Sequence, residues 1–309
     1  MKILVTGGAG FIGSHVVDAY VGAGHDVVVV DDLSSGKETN LNPRARFYKA
    51  DICVPEIEEI FQVERFDLVN HHAAQIDVRR SVADPAEDAR INILGGLNVL
   101  GLAVRHAVQQ FIFASTGGAI YGEAAIPTPE SHPANPVNPY GVAKLAMENY
   151  LRAFQVTHGL RYLVLRYTNV YGPRQDAFGE AGVVAMFSGR LLTGKSPMVF
   201  GGGEQTRDYV FVGDVARANL LALHRLACTA LNVGTGIETS VNELLDRLRA
   251  VSGVKADARH QPARAGELRR SAVNPKRARD LLGWTPEIGL EEGLRQTFDW
   301  FAERHACRV

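Results

Sequence analysis

Tyr140 and Lys144 stand four residues apart in NPYGVAKLAMENYL, a stretch whose pattern predicts a helix, so both side chains project from one helix face. A tyrosine hydroxyl ordinarily ionises near ~10 and is a poor base at neutral pH. An ammonium one turn away favours the phenolate, which can take a proton from a substrate hydroxyl. Taken alone, this spacing recurs by chance on many surface helices. It gains force from the preceding FIFASTGG, which reads as a strand ending in the hydroxyls of Ser115 and Thr116. In an open parallel sheet, ligands bind at that C-terminal edge.

A second constellation opens the chain. KILVTGGAGFIGS places Gly7, Gly8, Gly10 and Gly13 directly after an apolar strand and at the start of a helix. Glycines permit the tight turn and a close backbone approach to a pyrophosphate, while the helix N-terminus offers unpaired N–H groups. Eighteen residues past Gly13 the run VVVV ends in Asp31, a carboxylate suited to the hydroxyls of an adenosine ribose. The same carboxylate would repel the extra phosphate of NADP, and no Arg follows it directly, so NAD is the expected dinucleotide. Asp51-Ile52, after the third apolar run, has two readings of equal weight: a carboxylate for the adenine amino group, or a solvated strand end. His71-His72 reads as packing beside the cofactor, or meeting it through the backbone, ahead of binding a metal.

These residues need a sheet and crossover helices to carry them. Short apolar runs bounded by Gly, Asp or Asn predict strands at 2–6, 26–31, 46–49, 68–71, 110–115 and 162–167, with helices near 12–22, 85–106 and 140–158. The expected fold is doubly wound α/β with a parallel sheet. After about residue 172, Pro173, Pro197 and Gly201-Gly202-Gly203 punctuate shorter elements, so a smaller lobe begins there. Residues 212–226 read as a helix capped by Asp214, and 231–233 as a strand that returns to the first lobe. The lobes are therefore expected as 1–172 with 212–235, and 173–211 with 236–309. Trp284 and Trp300 are expected to pack the second lobe, and the charge-rich 269–280 to form a solvated helix and turn.

With 46% hydrophobic and 22% charged residues among 309, the composition suits a globular protein with a sizeable core and excludes disordered and fibrous classes. Thirty-three basic against 34 acidic residues, without a dense basic run, argue against nucleic acid and anionic membranes as partners. Cys53, Cys228 and Cys307 form no C-x-x-C pair, and neither a signal segment nor a membrane span is legible, so a cytoplasmic protein with reduced thiols is expected.

In this order and spacing, TGGAGFIG, HHAAQ, STGGAIYGE, NPYGVAK, RYTNVYGPRQ, QTRDYVFVGDVA, ARAGELRRS and LGWTP resemble the UDP-glucose 4-epimerase branch of the extended short-chain dehydrogenases, from about residue 2 to 290. The resemblance implies a Rossmann-type sheet with a smaller α/β lobe for a nucleotide sugar. It implies NAD held by Gly7, Gly10, Phe11, Ile12, Gly13, Asp31, Asp32, Ser35, Gly36, Asp51, Ile52, His72, Ala73, Ala74, Gln75, Asn92, Tyr140, Lys144 and Tyr167. Asn92 matches a family position that is architectural, behind the catalytic Tyr. Tyr140 would take the proton of the sugar 4-hydroxyl while hydride passes from C4 to NAD, and Lys144 would bind the nicotinamide ribose. Thr116, or else Ser115, would hydrogen-bond the reacting hydroxyl; relatives carry this Ser or Thr four residues before the Tyr of YG, where this chain has Gly117. Gly117-Gly118 supplies none of the acids that related dehydratases use. Asn169, Arg207 and Arg264 match positions that contact a UDP diphosphate. Ser271 stands where some epimerases have a bulky Tyr, which leaves room for N-acetylated sugars. The helices near 85–106 and 140–158 imply a homodimer through a four-helix bundle. Alternatives are a 4-epimerase of UDP-GlcNAc/GalNAc or UDP-glucuronate, a net reductase, or a non-catalytic NAD-binding regulator.

Overall fold

Near-continuous Val, Ile and Leu make strands that must be covered on both faces. In the computed structural model, which describes residues 1–176, 182–225, 227–263 and 268–306, that covering is supplied by helices between the strands. In chain order the first part comprises β1 (Lys2–Thr6), α1 (Phe11–Gly22), β2 (Asp26–Asp31), β3 (Arg46–Lys49), α2 (Ile57–Glu64), β4 (Leu68–His71), α3 (Val78–Ala83), α4 (Pro85–Ala89), α5 (Gly96–Arg105), β5 (Gln110–Thr116), α6 (Pro139–His158) and β6 (Arg161–Tyr167). There follow β7 (Asn169–Tyr171), α7 (Val183–Leu192), β8 (Met198–Phe200), β9 (Thr206–Arg207), β10 (Tyr209–Phe211), α8 (Val212–Ala222), β11 (Thr229–Val233), β12 (Thr239–Ser240), α9 (Val241–Ser252), β13 (Arg259–Gln261), α10 (Lys276–Leu282) and α11 (Leu290–Ala306).

Seven strands form one sheet in the order β11-β6-β5-β4-β1-β2-β3, every neighbouring pair parallel. The chain runs outward from β1 through β2 and β3, then returns to the other side of β1 as β4. The order reverses between β1 and β4, and a ligand crevice opens at their C-terminal ends. Alternation along β1 divides the core: Ile3 and Val5 pack with Val16, Val17 and Tyr20 of α1, whereas Leu4 packs with Phe61 of α2, Val99 of α5 and Met147 of α6. A third cluster joins Phe187 of α7, Leu244 and Leu248 of α9, and Leu294 and Phe298 of α11. No helix among the described residues is long and apolar enough to cross a membrane.

Five expectations need correction. The helix expected at 212–226 ends at Ala222, and the strand expected at 231–233 already starts at Thr229. Strands five and six run to Thr116 and from Arg161, one residue beyond the expected limits. The helix expected at 85–106 is interrupted by a π-helical stretch, Arg90–Gly95, between α4 and α5. Asp214 does not cap α8; the cap position is Phe211, and the Asp214 carboxylate accepts from the amides of Glu287 and Ile288, each at 3.0 Å. Trp284 is fully buried against the α1 and α8 side of the large sheet, and its indole N–H donates to the carbonyl of Asp214 at 2.8 Å. It lies there because α10 itself packs on this side, Ala278 and Leu282 joining the same cluster.

Glu64, the last residue of α2, fastens the edge of the sheet opposite the crevice. Its buried carboxylate accepts from Lys2 Nζ at 2.9 Å, from the Tyr48 hydroxyl at 2.6 Å and from Arg46. Desolvation alone would raise its pKa, but the hydrogen bonds from Tyr48, Arg46 and Lys2 outweigh that and hold it down to about 2. A depressed carboxylate stabilises the fold above the unfolded pKa near ~4.3 and loses that contribution as pH falls toward the folded value. Glu64→Gln is expected to cost about 1–3 kcal/mol at neutral pH. Thermal melts of the two proteins should draw together below about pH 4, and a constant gap across that range would refute the assignment.

Candidate active site

The glycines of the first loop are dictated by close approaches at the β1/β4 crevice. Gly7 has φ +70°, and a Cβ there would lie 2.6 Å from the amide nitrogen of Ala73, just past β4. A Cβ on Gly13 would lie 2.2 Å from the carbonyl oxygen of Gly7, so α1 can press onto the loop only without one. Gly10 occupies the N-cap of α1 without a side-chain cap, leaving first-turn amides with no intrahelical acceptor. They face a cavity that a diphosphate fits by charge and by donor direction.

Of the residues expected at a dinucleotide, Gly7, Gly10, Phe11, Ile12, Gly13, Asp31, Asp32, Ser35, Asp51, Ile52, His72, Ala73, Ala74, Gln75, Tyr140, Lys144 and Tyr167 all line this one cavity. Gly36 and Asn92 do not line it. A Cβ on Gly36 would come within 2.6 Å of Asp31 Oδ1, so this glycine lets the loop pass over the carboxylate. Asn92 lies behind the wall, its side chain accepting from the Gln75 amide and donating to the Gln75 carbonyl, both at 2.8 Å. Ser34, Arg80 and Arg90 also line the cavity, although no sequence pattern distinguishes them from surface residues.

The acceptors of this wall suit a ligand rich in hydroxyls. Burial raises the pKa of Asp31, and amides of Leu33 at 2.9 Å and Ala9 at 3.0 Å pull it back. Each carboxylate oxygen keeps a free acceptor site for a ribose hydroxyl. Burial, and after it the Lys144 charge, push His71 and His72 down to about 3, so both rings are neutral at pH 7. His71 Nδ1 meets Thr6 Oγ1 at 2.7 Å and its ring stacks on Phe113, a packing role. His72 Nε2 meets the Tyr167 hydroxyl at 3.2 Å, while its buried Nδ1 has no protein partner among the described residues.

Tyr140 is the second residue of α6, whose start is set by Pro139 in the first turn and by Asn138, whose Oδ1 accepts from the Gly141 amide at 2.8 Å. Lys144 Nζ donates to the carbonyl of Ala114 at 2.9 Å and lies 5.8 Å from the centre of the Tyr140 ring. Its nearly complete burial lowers its pKa to about 8, against the opposing pull of Asp88 and Glu148. The two candidate hydroxyls differ in their commitments. Ser115 Oγ donates to Glu148 Oε1 at 2.6 Å, whereas Thr116 Oγ1 accepts from the Ala119 amide at 3.2 Å and keeps its proton to give.

A second cavity adjoins the first across Phe11, Ile12, Ile76, Ser115, Tyr140 and Tyr167, which line both. Thr116, Asn169 and Arg207 line the second alone, with Val183, Met186, Met198, Phe200 and Tyr209 forming an apolar far end. Ser271 is half-buried and is not among the described residues of that wall, so the structure does not place it against the cavity. Arg264 lies outside the described residues.

A model of the NAD dependent epimerase/dehydratase family matches residues 3–234. The chain belongs to this family. It is 42% identical over 311 residues to a UDP-glucose 4-epimerase of Mycolicibacterium smegmatis, spanning 98% of this chain and 99% of that one. Among solved structures it resembles UDP-glucose 4-epimerase from Thermotoga maritima with UDP-glucose, at TM-score 0.97 and 49% identity over 99% of this chain and 100% of that one. It also resembles the Thermus thermophilus UDP-glucose 4-epimerase in complex with NAD, at TM-score 0.93 and 43% identity over 97% and 99%.

Within this NAD-dependent family member, three groups behind the site escape motif reading, apart from Tyr167, which the resemblance had placed at the cofactor. Tyr167, Asn219, Asn70 and Tyr20 form a buried hydrogen-bonded chain under the dinucleotide wall, with contacts of 2.6–3.2 Å. Asp208, next to Arg207, is fully buried and accepts from the amides of Thr235 at 2.8 Å and Gly236 at 3.0 Å. Glu148 binds Arg166 through both carboxylate oxygens. Only Glu148 has a legible hint, since it repeats the four-residue spacing of Tyr140 and Lys144.

Gly13→Ala is expected to destabilise the fold by about 1–3 kcal/mol through overpacking. It should also weaken NAD binding about tenfold, a change near 1.4 kcal/mol, and so lower the NAD retained on the purified protein. Absorbance of the nucleotide released on denaturation measures this, and wild-type NAD content would show that the Gly7–Gly13 approach does not shape the cavity.

Proposed function

We propose that this chain interconverts UDP-glucose and UDP-galactose by inverting C4 of the hexose through a transient 4-keto sugar. It is an NAD-dependent isomerase of nucleotide sugars, and the observation that carries this reading is the position of Tyr140. Tyr140 lines both cavities, with the Lys144 ammonium 5.8 Å from the centre of its ring, a position that suits one hydroxyl serving a dinucleotide on one side and a sugar on the other.

Bound NAD supplies a hydride acceptor for C4 that gives the hydride back, so no external reductant is consumed. The protein's part is to hold, orient and move one proton. Tyr140 takes the proton of the 4-hydroxyl and returns it after the ketone turns over. Lys144, fixed by the Ala114 carbonyl, binds the nicotinamide ribose and favours the Tyr140 phenolate. Thr116 hydrogen-bonds the reacting oxygen, because the Ser115 proton is committed to Glu148. Asn169 and Arg207 hold the UDP diphosphate, and the apolar end around Met198 and Phe200 takes the base. Asp31 takes the adenosine ribose, and Asp51 faces the adenine. Gly117 and Gly118, following Thr116, offer no acid for eliminating water, so the chemistry stops at epimerisation.

The lobes divide this work, 1–172 with 212–235 for NAD and 173–211 with 236–309 for the nucleotide sugar, except that Lys276–Trp284 packs with the first. The assembly is a cytoplasmic homodimer. Exposed apolar side chains on α3, the π-helical stretch and α6, namely Val82, Leu94, Val142 and Val156, support a helical interface, and the unpaired thiols of Cys53 and Cys228 suit a reducing compartment.

Purified protein given UDP-galactose and no added cofactor should form UDP-glucose and release NAD on denaturation. Tyr140→Phe should lower kcat about 100- to 10,000-fold with NAD retained. Thr116→Val should lower kcat far more than Ser115→Ala, and the reverse order would transfer the role to Ser115. Light scattering should give a dimer that Val142→Glu converts to monomer; a wild-type monomer would sink the interface.

A further inference from the structure

Glu148 and Arg166 form an ion pair inside the protein, beside the catalytic pair and outside the walls of both cavities. Glu148 is 9% exposed and Arg166 7%. Glu148 Oε1 accepts from Arg166 Nε at 3.0 Å and from Ser115 Oγ at 2.6 Å, and Oε2 accepts from Arg166 Nη2 at 2.5 Å. The remaining arm of Arg166 donates to the Tyr121 hydroxyl at 2.7 Å, and that hydroxyl donates to Asn232 Oδ1 at 2.8 Å. The carboxylate therefore ties α6 to the end of β5, to β6 and, through Tyr121, to β11. Buried ion pairs are rarely the cheapest way to stabilise a core, since apolar replacements of similar volume often do as well. A pair held at that cost one helical turn from Lys144 calls for a role beyond stability.

We propose that Glu148 is a positioning residue for the Tyr140–Lys144 pair, fixing the Ser115 hydroxyl away from the reacting oxygen and setting a negative charge one turn of α6 below the Lys144 ammonium. The inference rests on the epimerase reading. Lys144 is also faced by Asp88 from α4, by the neutral His71 and His72 at the end of β4, and by Tyr140 on its own helix. Of the two carboxylates, Asp88 acts more strongly on Lys144; Gln75 and Asn92 donate to its Oδ1 at 2.9 and 3.0 Å, and its buried Oδ2 has no partner among the described residues. Glu148 is the one that shares a helix with Lys144 and a hydrogen bond with the strand end. With the Lys144 charge lost as pH rises through about 8, a neighbouring anion postpones that loss. Removing the anion must move it to lower pH, and with it the alkaline limb of kcat.

The test compares Glu148→Gln with wild type in UDP-galactose turnover across pH, after checking that both hold NAD. The expected result is a kcat lower by about tenfold, KM for UDP-galactose unchanged, and an alkaline limb displaced downward by about one pH unit. An unmoved limb, or a change confined to KM, overturns the proposal. Because Glu148→Gln leaves a buried guanidinium that can unfold the protein, Glu148→Gln/Arg166→Met is made alongside it. If this double variant regains the wild-type kcat and limb, Glu148 serves only to neutralise Arg166 and the proposal fails; if the limb stays displaced, the proposal holds. Heteronuclear NMR titration of Lys144 Nζ, assigned with Lys144→Met, reads the same displacement without substrate. An inactive wild-type protein would then refute the epimerase reading while this titration still decides the role of Glu148.

Discussion

A lysine ammonium with almost no water around it must be held charged by the fold, and the site is organised around that demand. Lys144 has one strong partner, the Ala114 carbonyl at 2.9 Å, and that carbonyl is available because the pairing of β4 with β5 stops at Phe113, leaving Ala114 without a strand neighbour on that side. The crevice exists because the strand order turns back between β1 and β4. The helix carrying the lysine starts where it does because Pro139 and Asn138 fix its first turn. Shifting any of these would strand the charge, and a stranded buried charge neutralises instead of working.

The parts of the molecule that obey a local rule were legible in the sequence. Strands one to four match residue by residue; one, two and four announce themselves by buried, mostly branched apolar runs, whereas strand three, Arg46–Lys49, is a half-buried edge strand. The glycine loop, Asp31 and the Tyr140–Lys144 spacing are likewise local, and all reach the same crevice. What escaped was settled by distant partners. Nothing local in RYTNVYG marks Arg166 as the partner of Glu148, eighteen positions earlier. Asp214 reads as a helix cap, yet its acceptors are spent on the amides of Glu287 and Ile288. Ser115 and Thr116 could not be told apart by type or spacing; only the hydrogen bond to Glu148 separates them.

The two cavities share a wall of six residues, and this arrangement favours a catalyst that keeps its cofactor. A dinucleotide seated against Gly7, Asp31 and Lys144 would have its reactive end covered by whatever sugar occupied the neighbouring space. Water is then displaced from the reacting face by substrate itself, and the apolar side chains of Phe11, Ile12 and Ile76 on the shared wall extend that exclusion.

The π-helical stretch Arg90–Gly95 has an evolutionary corollary. Its extra residue keeps α4 and α5 in different phases, so that Asp88 and Asn92 turn toward Gln75 while Gly95 fits against Ile52 and Cys53 and Gly96 against Met147. Leu94, in the same stretch, is 60% exposed, and no neighbour within the chain fixes its size. Length here is far less negotiable than composition. Deleting one residue would restore a regular helix and rotate everything beyond it by roughly 100°, taking Asn92 from Gln75 or the glycines from their neighbours. Drift in this segment should therefore proceed by exchange of side chains, with insertions and deletions rejected.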